Sequence, residues 1–130
     1  MRTHKRVLLA EQSDTIRGLA GNVLRQSGFE VIGVATADKA LEVLNFSRPD
    51  LLIVNGGLTD RGKRPLYERI QGDARFANVP LLLLLDPEHP DVPFPDNLLV
   101  NLPFEPKGLL EKVTAVSGAV SYTHLTLPTN

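Results

Sequence analysis

The sequence predicts an α/β fold, a parallel sheet of short buried strands with helices packed on both faces. Three observations carry this reading. Apolar runs of strand length recur along the chain, segments with apolar residues at helical spacing fall between them, and turn residues punctuate the junctions. The runs are continuous in place of alternating, as expected of strands covered on both faces.

Taken in order, Val7-Leu8-Leu9-Ala10 is the first strand. Behind it Ile16, Leu19, Ala20, Val23 and Leu24 mark one face of a helix, opened by Ser13 or Asp14 as N-cap and closed by Gly28. Phe29 to Val34 reads as the second strand, and Thr36 caps a short helix whose inner face is Ala40, Leu41 and Leu44. Pro49-Asp50 breaks the chain before the third strand, Leu51-Leu52-Ile53-Val54. The turn Asn55-Gly56-Gly57 follows, and Pro65 suits the first turn of a helix carrying Leu66, Tyr67 and Ile70. Val79 to Leu85 is the fourth strand and Leu98 to Asn101 a short fifth. After Pro106 a last helix places Leu109, Leu110, Val113 and Val116 on one face.

Strands alternating with helices imply right-handed crossovers and therefore a doubly wound sheet. Five strands in this length suit the flavodoxin-like order 2-1-3-4-5. The stretch between strands four and five is the exception. It carries Pro87, Pro90, Pro93 and Pro95, and proline at that density cannot hold a helix interior. The fourth helix is expected to be missing or reduced to a turn.

Composition narrows the function classes. A chain of 130 residues has room for one domain, and its net charge of −1 supplies no global field to draw nucleic acid or an anionic membrane. No cysteine is present, so there are no disulfides, thiolate metal ligands or thiol nucleophiles. The apolar run Val7 to Ala10 is too short for a signal peptide, and Leu81 to Leu85 too short to span a bilayer. A cytoplasmic domain is expected. His4 and His89 lack companions at metal-ligand spacing. Arg61, Lys63 and Arg64 form a small basic cluster without interleaved aromatics, which reads as solvated charge.

In a doubly wound sheet, chemistry sits at the carboxyl ends of the strands. Those ends carry Glu11 and Gln12, Asn55, Leu85 and Leu102. The run from Leu8 to Arg17 resembles the opening strand, acidic pair and first helix of the response-regulator receiver family. Arg48 to Asn55 is similar to that family's proline-aspartate strand leading to its phosphoacceptor, Asn78-Val79-Pro80-Leu81 to the entry of its fourth strand, and Leu102 to Pro106 to its lysine-proline-phenylalanine segment. The resemblance covers residues 6 to 116.

The resemblance implies a chemistry that needs an acidic pair and an acceptor aspartate around a magnesium ion, with a hydroxyl and a lysine reading the phosphoryl oxygens. This sequence departs at every one of those positions. Asn55 stands where the acceptor belongs, and an amide is not the carboxylate nucleophile that an acyl phosphate requires. The pair is Glu11 and Gln12, so the pocket keeps one carboxylate of three. Leu85 has no hydroxyl and Leu102 no ammonium. Both leucines are expected to close over the former pocket, removing polar groups that would need partners. A receiver-like domain that is not an enzyme, is not phosphorylated, and holds no metal or cofactor is expected.

By this resemblance the chain is a regulatory module of a signal-transduction protein, acting by contact. The expected partner is another protein or a second copy, met through strand four, strand five and the last helix, with Phe94, Leu98, Leu99, Val100, Pro103 and Phe104 on the interaction face. The alternative is a small-ligand sensor or residual enzyme using the strand-end crevice, which needs an open polar cavity there. Finally, Val120 to Thr129 resembles the translation of a transposase adaptor from a sequencing library. The expected boundaries are residues 1–119 for the receiver-like domain and 120–130 for a non-native or disordered tail.

Overall fold

The three central apolar runs become strands because both of their faces are covered. In the computed structural model, which describes residues 5–88 and 92–117, the chain alternates strand and helix. The strands are β1 (Arg6–Ala10), β2 (Glu30–Val34), β3 (Leu51–Asn55), β4 (Leu81–Leu85) and β5 (Leu99–Asn101). They form one parallel sheet in the order β2-β1-β3-β4-β5, the flavodoxin-like order that the sequence predicts. The helices are α1 (Asp14–Gln26), α2 (Ala37–Leu44), α3 (Leu66–Gln71) and α4 (Pro106–Ser117).

Successive strand side chains point to opposite faces, and the two cores follow from that. Leu8, Leu52, Val54 and Leu83 meet Ala40 and Leu44 of α2 and Leu66 and Ile70 of α3. Val7, Leu9, Ile53, Leu82 and Leu84 meet Ala20 and Leu24 of α1 and Leu109 and Val113 of α4. Each such leucine, fully buried, contributes roughly 1.5–3 kcal/mol relative to exposure.

The helix ends follow the local signals. Ser13 caps α1, its hydroxyl accepting from the Ile16 N–H at 3.2 Å, and Thr36 caps α2 through the Lys39 N–H at 3.1 Å. Gly28 ends the α1 turn at φ +94°, a conformation that favours glycine. Pro65 sits one residue before α3, at its N-cap. One expected core residue is misplaced by the sequence reading: Leu19 is 55% exposed. Ala20, Gly21 and Leu24 form the buried face of α1, and each residue step turns the helix by about 100°, which carries Leu19 out of that narrow stripe.

Between β4 and β5, the described residues 86–88 and 92–98 contain only the 3-10 turn Asp96–Leu98. The fourth helix of a regular doubly wound fold is thus reduced, as the prolines require. No helix among the described residues is long and apolar enough to cross a membrane. His4, His89 and the 120–130 tail, with its boundary at 119, lie outside the described residues.

Candidate functional site

Parallel register brings the ends of three strands together. Ala10 lies opposite Val54 in the β1–β3 pair, so Glu11 and Asn55, the next residues, come level. Asn55 pairs in turn with Leu84 of β4, which brings Asp86, just past the end of that strand, to the same rim. Glu11 and Asn55 are both fully buried, and Asp86 is half-buried.

The Asn55 amide joins them. Its Nδ2 donates to Glu11 Oε1 at 2.8 Å and to Asp86 Oδ2 at 3.2 Å, while its Oδ1 accepts from the Gly57 N–H at 2.7 Å. Two carboxylate acceptors on one side and an N–H donor on the other fix which end of the amide is nitrogen. Both amide hydrogens are used. The second Glu11 oxygen, Oε2, accepts from the Ser13 N–H at 2.8 Å. That N–H belongs to the cap of α1, where the helix dipole favours negative charge. Arg17 of α1 donates to the Glu11 main-chain carbonyl at 2.8 Å and pairs with Asp14, which holds the helix start against the end of β1. A buried carboxylate is tolerable when its oxygens are bonded in this way.

The remaining sequence-predicted positions divide. Gln12 is exposed, and no hydrogen bond among the described residues joins it to this network, so the second acidic-pair position lies outside the site. Leu85 is buried and belongs to neither main core. A Cβ on Gly56 would lie 3.1 Å from Leu85 Cδ2, so this leucine packs directly on the turn that follows Asn55. Leu102 is buried with Leu109 and Val113 of α4, its N–H donating to Leu85 O at 2.8 Å. Two residues were missed. Asp86 follows an apolar strand just as Glu11 does, and strand-end position alone would have flagged it. Arg17 carried no signal beyond helix polarity.

The expected interaction face also divides. Val100 is buried in the core beneath α4 and is withdrawn from that face, because alternation along the edge strand β5 turns Leu99 to one side of the sheet and Val100 to the other. Phe94 is half-buried with its ring edge-on to Tyr67, centroids 5.7 Å apart. Leu98, Leu99 and Phe104 are half-buried and Pro103 is exposed. A cavity of about 420 Å³ opens beside them, lined by Ile70, Phe76, Pro80, Phe94 and Leu98 among others. None of its lining residues is Glu11, Asn55 or Asp86.

No protein-family model matches the chain. Protein Rrf1 of Nitratidesulfovibrio vulgaris is 26% identical over 109 residues, covering 83% of this chain and 79% of that protein. Among solved structures, a candidate response regulator from Chloroflexus aurantiacus superposes with a TM-score of 0.76 at 24% identity, covering 89% of this chain and 99% of that one. The chemotaxis response regulator CheY4 of Vibrio cholerae gives 0.72 at 20% identity, covering 88% and 99%. The chain has the receiver fold. Five parallel strands in the order 2-1-3-4-5 agree with it throughout.

The receiver fold implies a magnesium site at these strand ends, and the residues present do not fit one. Magnesium needs near-octahedral oxygen ligands with carboxylate charge. Both Glu11 oxygens already accept hydrogen bonds, Asn55 turns its N–H groups towards the two carboxylates, and Gln12 stands apart. Among the described residues no three His, Asp or Glu side chains are grouped to hold a metal ion. An amide that donates to both neighbouring carboxylates fills the place where a cation would sit between them.

Proposed function

We propose that this chain is a phosphorylation-independent receiver-like module of a signal-transduction protein, acting by protein contact and not by phosphoryl-driven switching. The observation that carries the reading is the Asn55 amide, which donates to Glu11 and Asp86 at once. Phosphorylation on this fold needs a carboxylate nucleophile, a bound divalent ion and polar groups to meet the phosphoryl oxygens. Asn55 supplies no such nucleophile, and its amide takes the cation's place between the two carboxylates. Leu85 and Leu102 offer no hydroxyl or ammonium. With nothing to shift the equilibrium between two states, the domain holds one conformation, and a partner reads its surface directly.

The surface best suited to that role combines Phe94, Leu98, Leu99, Pro103 and Phe104, around the proline-rich stretch and the start of α4. Half-buried apolar side chains of this kind give a partner area to cover without unfolding anything. The same resemblance supports a cytoplasmic place and a partner that is another protein or a second copy of this chain.

Magnesium titration of the isotope-labelled chain, followed by amide chemical shifts, tests the reading. The expected result is no saturable change at Glu11, Asn55 or Asp86 up to millimolar ion. Specific, saturable shifts at those residues would show a working metal site and overturn it.

A further inference from the structure

We propose that the loop between β3 and α3, residues Thr59 to Arg64, is a docking surface for an acidic polypeptide segment, with Lys63 and Arg64 as its contact residues. It rests on the reading of the chain as a contact module and adds a second surface, with the chemistry of what binds there.

The loop is built to hold one shape. Thr59 and Pro65 form an antiparallel bridge across its base. Asp60 and Arg64 close the loop, Asp60 N–H donating to Arg64 O at 2.9 Å and Arg64 N–H to Asp60 Oδ1 at 2.9 Å. Lys63 N–H donates to Asp60 O at 2.9 Å, and Asp60 Oδ2 pairs with Arg69 of α3. The Asp60 side chain is only 8% exposed, so this carboxylate serves the loop and is not offered outward. The Arg64 N–H first, and Arg69 with it, hold its carboxyl below the ordinary range and keep it charged.

The tip residue is the telling one. Lys63 has φ +66°, in the left-handed region that favours glycine, while its neighbour Gly62 is not in that region. A turn followed by a left-handed residue is a common way to close a tight loop, and glycine is the usual occupant of that last position. If the loop needed only to turn, a glycine at 63 would do so with less strain. A strained backbone that keeps a cation at the apex is the kind of feature that persists where the side chain has work to do.

The charges there are outward, and those of Lys63 and Arg64 are uncommitted. Arg61 is 93% exposed and its pair with Asp38, at 3.2 Å, is open to solvent and weak. Among the described residues neither Lys63 nor Arg64 has a carboxylate within ion-pair distance. A chain with a net charge of −1 thus concentrates three cations on one rigid loop. Arg64 can grip a carboxylate through two parallel N–H bonds, and Lys63 can add a mobile point charge. Single-stranded nucleic acid would need aromatic faces for stacking, and the described loop has none, Tyr67 being buried. A membrane surface would need adjoining apolar side chains, and Leu58 beside the loop is buried as well.

The test is an amide-shift titration of the labelled full chain with a short peptide of alternating glutamate and serine at low ionic strength. Parallel arms use a single-stranded DNA oligonucleotide and phosphatidylglycerol-containing vesicles. The expected result is saturable shifts confined to residues 59–64 and Asp38, removed by high salt. Lys63→Gly and Arg64→Ala should each weaken peptide binding roughly three- to fivefold, and Lys63→Gly should also raise the thermal midpoint. Shifts scattered over every basic residue, unchanged affinity in Lys63→Gly, or tighter binding of DNA or vesicles would overturn the proposal. A silent loop overturns this inference alone, whereas a magnesium response at Glu11 and Asn55 overturns the contact-module reading.

Discussion

The strand-end site has two sides that arrive at the same outcome by opposite means. On the β1–β3 side, Glu11 and Asn55 are fully buried polar residues, and with Asp86 they satisfy one another and nearby main-chain N–H groups. On the β4–β5 side, Leu85 and Leu102 are buried with no side-chain polar atom to satisfy. A polar pocket meant for an incoming anion would leave donors waiting. Here one side has its donors engaged and the other has none. The contrast shows two ways to close a strand-end crevice, by polar groups that satisfy one another and by apolar side chains with nothing to satisfy.

The polar side should break most sharply when its charge balance changes. Asn55→Asp replaces two donors with a third carboxylate beside Glu11 and Asp86. That should cost on the order of 3–5 kcal/mol in urea melts at neutral pH, part of it recovered by millimolar magnesium. An unchanged melt would mean that the three side chains are not coupled. Glu11→Ala removes one acceptor from the Asn55 amide and the carboxylate acceptor of the Ser13 N–H. A loss of about 2–3 kcal/mol is expected, and Glu11→Gln should lose less.

The apolar side should respond more mildly. Leu85→Thr trades packing on Gly56 for a buried hydroxyl, and about 1–2 kcal/mol should be lost. If it stabilised the chain instead, the pocket would have spare acceptors there, and the contrast between the two sides would fail. Smallest is a pH effect away from the site. The Asp60 carboxyl is held low by the Arg64 N–H and Arg69, and the Asp73 carboxyl by Arg75. A group with a depressed folded pKa adds stability above the unfolded value and loses it as pH falls through the folded one. The thermal midpoint should therefore hold from neutral pH to about 4 and drop below it, less steeply in Asp60→Asn.

Much of this architecture was legible in the residues. Strands covered on both faces leave unbroken apolar runs, as in residues 51–54 and Leu81–Leu85, and the caps Ser13 and Thr36 announce their helices. The four prolines from Pro87 to Pro95 marked the stretch where the described residues hold only a 3-10 turn. Leu19 misled because periodicity gives spacing but not the width of the buried stripe, which Ala20 and Gly21 make narrow. At the site, Glu11, Asn55 and Leu85 were legible from their places at strand ends. Asp86, one residue past the end of its strand, was legible on the same ground and was passed over because the resemblance fixes attention on position 85. Gln12 shows the converse, a position fixed by resemblance that local geometry leaves facing solvent.

Position 55 is expected to accept no phosphoryl group. Incubating the chain with magnesium and a small-molecule phosphodonor such as acetyl phosphate, then measuring intact and peptide masses, tests it most directly. The peptide containing Asn55 should gain no phosphoryl mass. A stable or hydroxylamine-sensitive mass gain on that peptide would contradict it.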